Sequence, residues 1–347
     1  MTVFLSAPPS DSLSTSREHF VEYVKPILVA AAMDWDVIEG RREGEVRAAL
    51  SERIRRYRNR HGEAVEVPFE ATATSVLVPM RERIGVEEWK GEAGDLVIGR
   101  NTWKEYVRGL HEGWLGPMNP PPAPPPPPAV EAPSTGDSEA KSETDDASPT
   151  AARAEAEEAK TTEEAKTTEE KKEEEPPAKP LVTQPYNSPD SYDSSHLPAS
   201  IPERFAASIP IHHPHILGFF NTPIRMYRFL TRRYLADEVG RQTAAAVLAA
   251  NRQYHHLSSG LGGSDEAEWE QQDALRTEEK EWHKSVKDPK DYAKERVWLN
   301  DVVVDPRIGE RMRKFELTSE DEERAKAIGR GAAGIRGRHG GEDEEKQ

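Results

Sequence analysis

The sequence predicts an α/β fold: a small, mostly parallel sheet with flanking helices, built as one discontinuous domain interrupted by a long disordered spacer. Three observations predict it. Through residues 1–118, short apolar runs alternate with amphipathic stretches of helical period, and strands and helices in that order imply parallel strands with right-handed crossovers. Across residues 119–180 the only sizeable apolar side chain beyond alanine and proline is Val130, so burial cannot repay the entropy of ordering that stretch. The two flanking halves need each other. The first ends in a helix whose Trp103 and Trp114 have no cover of their own, and the second, residues 181–327, supplies one strand and several amphipathic helices.

Taken in order, residues 2–7 form a strand that leaves the sheet at Pro8-Pro9. A helix over 14–33 follows, with Phe20, Tyr23, Val24, Ile27 and Leu28 on one face and a kink at Pro26. Residues 35–40 are a second strand. The helix over 43–60 turns Val46, Leu50, Ile54 and Tyr57 inward and Arg47, Arg53, Arg55, Arg56 and Arg58 mostly outward among Glu43, Glu45 and Glu52. Residues 65–89 are ambiguous, with residues 74–80 readable as strand or helix. A third strand over 95–98 turns at Gly99 into a helix that begins at Asn101 or Thr102, either of which can cap it, and stops at Gly116-Pro117. Trp103, Tyr106, Val107 and Leu110 share a face of that helix, and something must pack there.

Pro120 to Pro128 is a nearly unbroken proline run of extended polyproline type. The low-complexity EEAKTT repeat follows from Glu157 and again from Glu163. Order resumes at Leu181, through extended segments broken by prolines up to Pro214. Thr222 and Pro223 then open a helix with Tyr227, Leu230 and Tyr234 on one side and Arg225, Arg228 and Arg232 on the other, continuing through residues 244–250. Residues 266–287 read as a polar helix containing Trp269 and Trp282, residues 297–305 as a strand stopped by Pro306, and residues 307–315 as a further helix. Residues 328–347 form a mobile tail rich in Gly, Arg and Glu.

The 347 residues carry a formal charge of -16, which argues against nucleic acid as a partner, since phosphate neutralisation needs a basic face. With no cysteine, disulfides and thiolate metal sites are excluded. No run approaches the roughly 18 apolar residues of a membrane span, and no signal peptide precedes the first strand. A strand at residue 2 leads us to expect a further N-terminal segment in the natural chain.

Chemistry is hard to find. Ser6 to Ser10 offers two prolines where a phosphate loop needs glycines, and Gly99 stands alone before a helix. His212, His213 and His215 lie on an extended, proline-broken segment without metal-ligand spacing. No Gly-x-Ser-x-Gly occurs, and Glu105 and Glu112 default to solvated carboxylates. We therefore assign no catalytic residue, no metal and no cofactor. The candidates are contacts with a partner or a membrane: Arg55 and Arg56 in the basic cluster of residues 41–60, Trp103 and Trp114, and the arginine-edged segment with Phe219, Phe220, Arg225, Arg228, Phe229 and Arg232, which carries more apolar bulk than one narrow stripe buries.

Four strings then carry a resemblance: TVFLSAPP (2–9), DLVIGRNTWKEYVRGLHEGWLGP (95–117), LGFFNTPIRMYRFLTRR (217–233) and DPRIGERMRKFEL (305–317). Together they resemble the fungal fifty-four-kilodalton subunit family of the mitochondrial inner-membrane carrier translocase. The resemblance spans both ordered halves and skips the spacer. It implies a non-enzymatic scaffold or docking subunit of the machine that inserts multi-spanning carrier proteins, anchored in the inner membrane by one N-terminal helix that this sequence does not contain. It further implies a large domain in the intermembrane space that meets the channel subunit and the small chaperones delivering substrate. The alternative reading is a degenerate nucleotide-binding α/β enzyme using the strand ends near Ser6, Gly40 and Gly99.

Overall fold

The structure, a computed structural model, describes residues 1–64, 80, 83–85, 94–121, 184–257, 268–273 and 296–330. The chain divides into two units, one made of Met1–Pro121 with Pro180–Gln347 and the other of Pro122–Lys179. The second unit lies outside the described residues, as do most of residues 65–93 and the tail from residue 331.

Apolar runs at β1 (Thr2–Ser6), β2 (Asp36–Gly40) and β3 (Gly94–Ile98) pair in parallel. β3 also pairs in parallel with β4 (Ala207–Ile211), from the second half of the chain. A short antiparallel strand β5 (Asn251–Gln253) pairs at the edge, β6 (His256–Leu257) and β7 (Glu268–Trp269) make a separate ribbon, and β8 (Arg313–Phe315) joins β4 to β5. The six-stranded order is β2-β1-β3-β4-β8-β5. The mostly parallel sheet predicted from the sequence is therefore present, and it is closed only by strands from both sides of the spacer.

Alternation along the central strands sorts the core into two layers. Val3, Leu5, Leu96, Ile98, Ile209 and Ile211 face α1 (Leu13–His19), α2 (Lys25–Ala30) and a later helix, while Phe4 and Val97 face α3 (Glu45–Arg60) and α4 (Arg100–Leu115). A π-helical turn, Phe20–Val24, separates α1 from α2. It sits just before Pro26, whose missing N–H leaves the helical ladder one donor short. The second half contributes α5 (Thr222–Leu230), α6 (Arg232–Val247), α7 (Glu270–Asp273), α8 (Pro306–Gly309) and α9 (Ser319–Gly329).

Several expectations are corrected. β4 is hidden in the sequence by Pro210, which usually argues against a central strand. Ile211 O accepts from Gly99 N on the β3 side, so the alternate residue Pro210 turns its N away from β3, beyond the two-residue pairing with β8. Residues 297–305 form no strand, and the helix expected over 307–315 is the four-residue α8 followed by β8. Trp269 ends a strand rather than lying in a long helix; residues 274–287 lie outside the described set. Gly99, not Asn101 or Thr102, is the N-cap of α4 and gives it no side-chain cap; Thr102 Oγ1 is instead engaged with Ser6 Oγ at 2.6 Å.

The helix expected to need a cover is buried from Asn101 to Leu115. On one side α3 lies against it at two glycines. A Cβ on Gly109 would stand 2.9 Å from the carbonyl oxygen of Arg47, and one on Gly113 would stand 2.7 Å from Ile54. On the other side the second half closes over it: Trp103 Nε1 donates to Gln271 O at 2.8 Å, and Trp114 stacks on Phe205 with ring centroids 5.6 Å apart.

Valine at Gly109 therefore meets backbone that cannot turn aside, and Gly109→Val should lower the unfolding free energy by about 3 kcal/mol in denaturant melts. Gly240→Ala in α6, where a Cβ would approach only Ile27 Cδ1 at 3.9 Å, should instead stabilise by about 0.5–1 kcal/mol through helix propensity. Equal effects at the two glycines would refute the close α3–α4 contact.

Candidate functional site

Three places in this fold concentrate polar or reactive side chains. The first is the α3–α4 seam. Glu112 takes ion pairs from Arg47 and from Arg55, the latter at 2.6 Å, and accepts the Tyr186 N–H. Burial pushes its carboxyl up, but Arg47, Arg55 and Arg108 together hold it below the usual carboxylate range. Glu105 accepts the N–H groups of Val46 and Arg47 at 3.0 and 3.2 Å, so a side chain of α4 caps the N-terminus of α3. Burial raises that carboxyl to about 7, against the pull of its N–H donors. Arg58 donates to Gly113 O and Gly116 O at 2.7 and 2.9 Å, so a side chain of α3 caps the C-terminus of α4.

Arg47, Arg55 and Arg58 are thus buried rather than outward, and Glu105 and Glu112 are not solvated carboxylates. Both corrections have one cause: on helices that touch at glycines, the flanking charges have nowhere to go but each other. Arg55, Trp103 and Trp114 drop out as surface contacts, since their side chains are spent inside the fold. Arg56 remains on the rim, half-buried and paired with Glu52.

The second place is the carboxyl end of β1, β3 and β4, where the sheet order reverses between β1 and β3 and where such folds hold ligands. Protein side chains fill it. Ser16 Oγ donates to Ser6 O at 2.7 Å, the buried rings of His19 and His213 lie 4.6 Å apart, and His213 packs 3.6 Å from where a Cβ on Gly99 would stand. His215 Nε2 is 3.5 Å from Asp11 Oδ2. Burial lowers the pKa of His19 to about 4, with the charge of His212 pushing the same way and its backbone carbonyl opposing, and carries that of His213 well below its ordinary value. Among the described residues no group of three His, Asp, Glu or Cys side chains converges as a metal would require.

The third place is the arm from Phe219 to Tyr234. No residue of α5 is buried. Phe219 is 85% and Phe220 93% exposed, their rings in an edge-to-face pair at the tip, and Met226, Tyr227, Phe229, Leu230 and Tyr234 are exposed behind them. Arg225 is exposed and Arg228 half-buried on the same helix. At the base, Arg232 pairs with Glu22 and donates from Nε to the Tyr23 hydroxyl at 3.0 Å, tying the arm to the π-helical turn. Of the sequence candidates, the structure gathers Phe219, Phe220, Arg225, Arg228, Phe229 and Arg232 into this one exposed feature.

Comparison with known proteins bears on all three places. The family described as "Inner membrane protein import complex subunit Tim54" matches over residues 1–315. The chain belongs to the Tim54 family. Relatives called mitochondrial import inner membrane translocase subunit tim54 include that of Aspergillus oryzae, 50% identical over 97% of this chain and 77% of the relative. That of Aspergillus fumigatus is 47% identical over 97% and 80%, and that of Neurospora crassa 41% identical over 94% and 68%. The Tim54 match runs through both halves that build the sheet. Its description is that of a subunit of an inner-membrane protein import complex, and no helix among the described residues is long and apolar enough to cross a membrane.

Sequence reasoning missed His111 as a structural residue of the Tim54 fold. Its Nδ1 bonds Val107 O at 2.7 Å, and its Nε2 accepts the N–H of Asp305 at 2.9 Å, which requires the neutral ring. Burial lowers its pKa from 6.5 to about 4. The unfolded chain therefore takes up this proton first, so the stability it contributes is present above pH 6.5 and is lost as pH falls toward 4, on the order of 3 kcal/mol. In His111→Gln, whose amide oxygen can accept from Asp305, the wild-type loss of stability between pH 6.5 and 4 should shrink by that amount. A variant whose pH profile parallels the wild type would show that His111 is not held neutral.

Proposed function

We propose that this chain is a non-enzymatic scaffold and docking subunit of the translocase that inserts multi-spanning carrier proteins, with its folded body in the intermembrane space. The observation that carries the reading is the arm: a Tim54-family chain keeps its Trp-rich helix fully covered yet leaves Phe219, Phe220, Met226, Phe229 and Leu230 in solvent. A body that buries its aromatics so thoroughly elsewhere has the arm exposed for contact with its assembly. The interior supports the same reading, because the strand ends where an α/β enzyme would bind a nucleotide are packed with His19, His213 and the Ser6–Thr102 pair.

In this role the body holds the channel subunit and the small carrier-delivering chaperones near one another, and the arm sets its attitude at the inner membrane. Photoreactive groups at the half-buried Arg56 on the rim, at Phe220 on the arm and at the exposed Leu248 should give crosslinks in isolated mitochondria to the channel subunit or the small chaperones. Their yield should rise while a carrier precursor is arrested in import. Crosslinks confined to proteins outside the translocase would overturn the reading.

A further inference from the structure

Of all the exposed features, the arm combines apolar bulk and charge in a pattern that identifies what it touches. At 100° per residue, Phe229, Met226, Leu230 and Tyr227 follow one another around α5 as a continuous apolar arc, and Arg225 and Arg228 share the opposite edge. A partner groove takes a narrow stripe at i, i+3, i+4 and i+7. Here the arc is broad, and it runs on into the Phe219–Phe220 tip, where Gly218 at φ 106° turns the chain. The shape is a ridge that a deformable medium can surround.

The charge is equally one-sided. In a chain of net -16, no Asp or Glu occurs between Glu203 and Asp237, while Arg225, Arg228, Arg232 and Arg233 all do. Arg225 and Arg228 form no ion pair among the described residues. Tyr227 and Tyr234 add rings with a polar end, which favour the boundary between lipid and water. A nine-residue helix is about 13 Å long against a hydrocarbon core of about 30 Å, so it cannot span a bilayer and must lie in its surface.

We infer that the arm is an interfacial helix that seats on an anionic phospholipid bilayer, with the Phe219–Phe220 tip and the Met226–Phe229–Leu230 arc below the headgroups and Arg225 and Arg228 among the phosphates. The inference rests on the reading of the arm as a contact surface. It adds that the contact is lipid, made independently of any membrane-spanning segment.

The test is flotation of the 347-residue chain with vesicles of phosphatidylcholine alone or mixed with phosphatidylglycerol. Binding should require the anionic lipid and weaken as salt is raised. Arg225→Gln with Arg228→Gln should lower the partition constant about thirtyfold, and Phe219→Ser with Phe220→Ser should lower it at least as far, with the melting temperature of the latter variant unchanged because those two rings are exposed. The fluorescence of the Phe220→Trp variant should be quenched by brominated lipid. Equal binding to both vesicle types, binding indifferent to these substitutions, or fluorescence of Phe220→Trp that brominated lipid leaves unquenched would overturn the inference. Vesicle binding without crosslinks to translocase subunits would sink the docking role alone, and crosslinks without vesicle binding would sink only the lipid contact.

Discussion

The seam between α3 and α4 constrains everything else. Gly109 and Gly113 let two helices approach until backbone and side chain touch, and that approach strands Arg47, Arg55, Arg58, Glu105 and Glu112 away from water. Removing such charges from solvent costs several kcal/mol each, and their mutual attraction only partly offsets it. The network is consequently a poor source of stability and a strict condition on geometry, since every member must find its partner. Some of those partners come from beyond residue 180. The Arg55 guanidinium lies 3.7 Å over the Tyr186 ring, the Tyr186 N–H donates to Glu112 at 3.3 Å, and the Trp298 indole N–H donates to Glu105. The first half carries the charges and the second half completes their solvation.

This dependence explains how one sheet tolerates an interruption in its chain. β3 and β4 pair along five residues across the break, and loop closure grows only with the logarithm of length. A long connection between them therefore adds little to the free energy of closing the domain. The arm follows the same logic in reverse: rooted by Arg232 on Glu22 and Tyr23, it leaves the body without disturbing either core layer, so contact at its tip need not be transmitted through the sheet.

Much of this is legible in the sequence, and the illegible parts share a cause. β1, β2, β3, α3 and α4 announce themselves because apolar periodicity is local. β4 and β8 do not, because Pro210 and the charged Arg313-Lys314 are tolerable only given where the neighbouring strand ends, a fact of the assembled sheet. The arm is visible as a surplus of aromatic bulk beside arginines, though its exposure is not. The inward arginines read as outward because a single helix gives no sign of a buried partner. Two helices together do: Arg47 and Arg55 lie eight residues apart on α3, Glu105 and Glu112 seven apart on α4, with Gly109 between the glutamates and Gly113 directly after the second. That pairing of small residues with opposite charges on crossover helices is the signal to look for.

With strands and buried partners drawn from both sides of the break, neither half of the sheet should be a folded object by itself. The most direct measurement is to prepare Met1–Pro121 and Pro180–Gln347 as separate chains and follow near-ultraviolet circular dichroism of their tryptophans, alone and mixed. The account predicts no cooperative melt for either fragment and a native-like spectrum with a cooperative melt for the equimolar mixture. Two independent cooperative melts, unchanged on mixing, would contradict it.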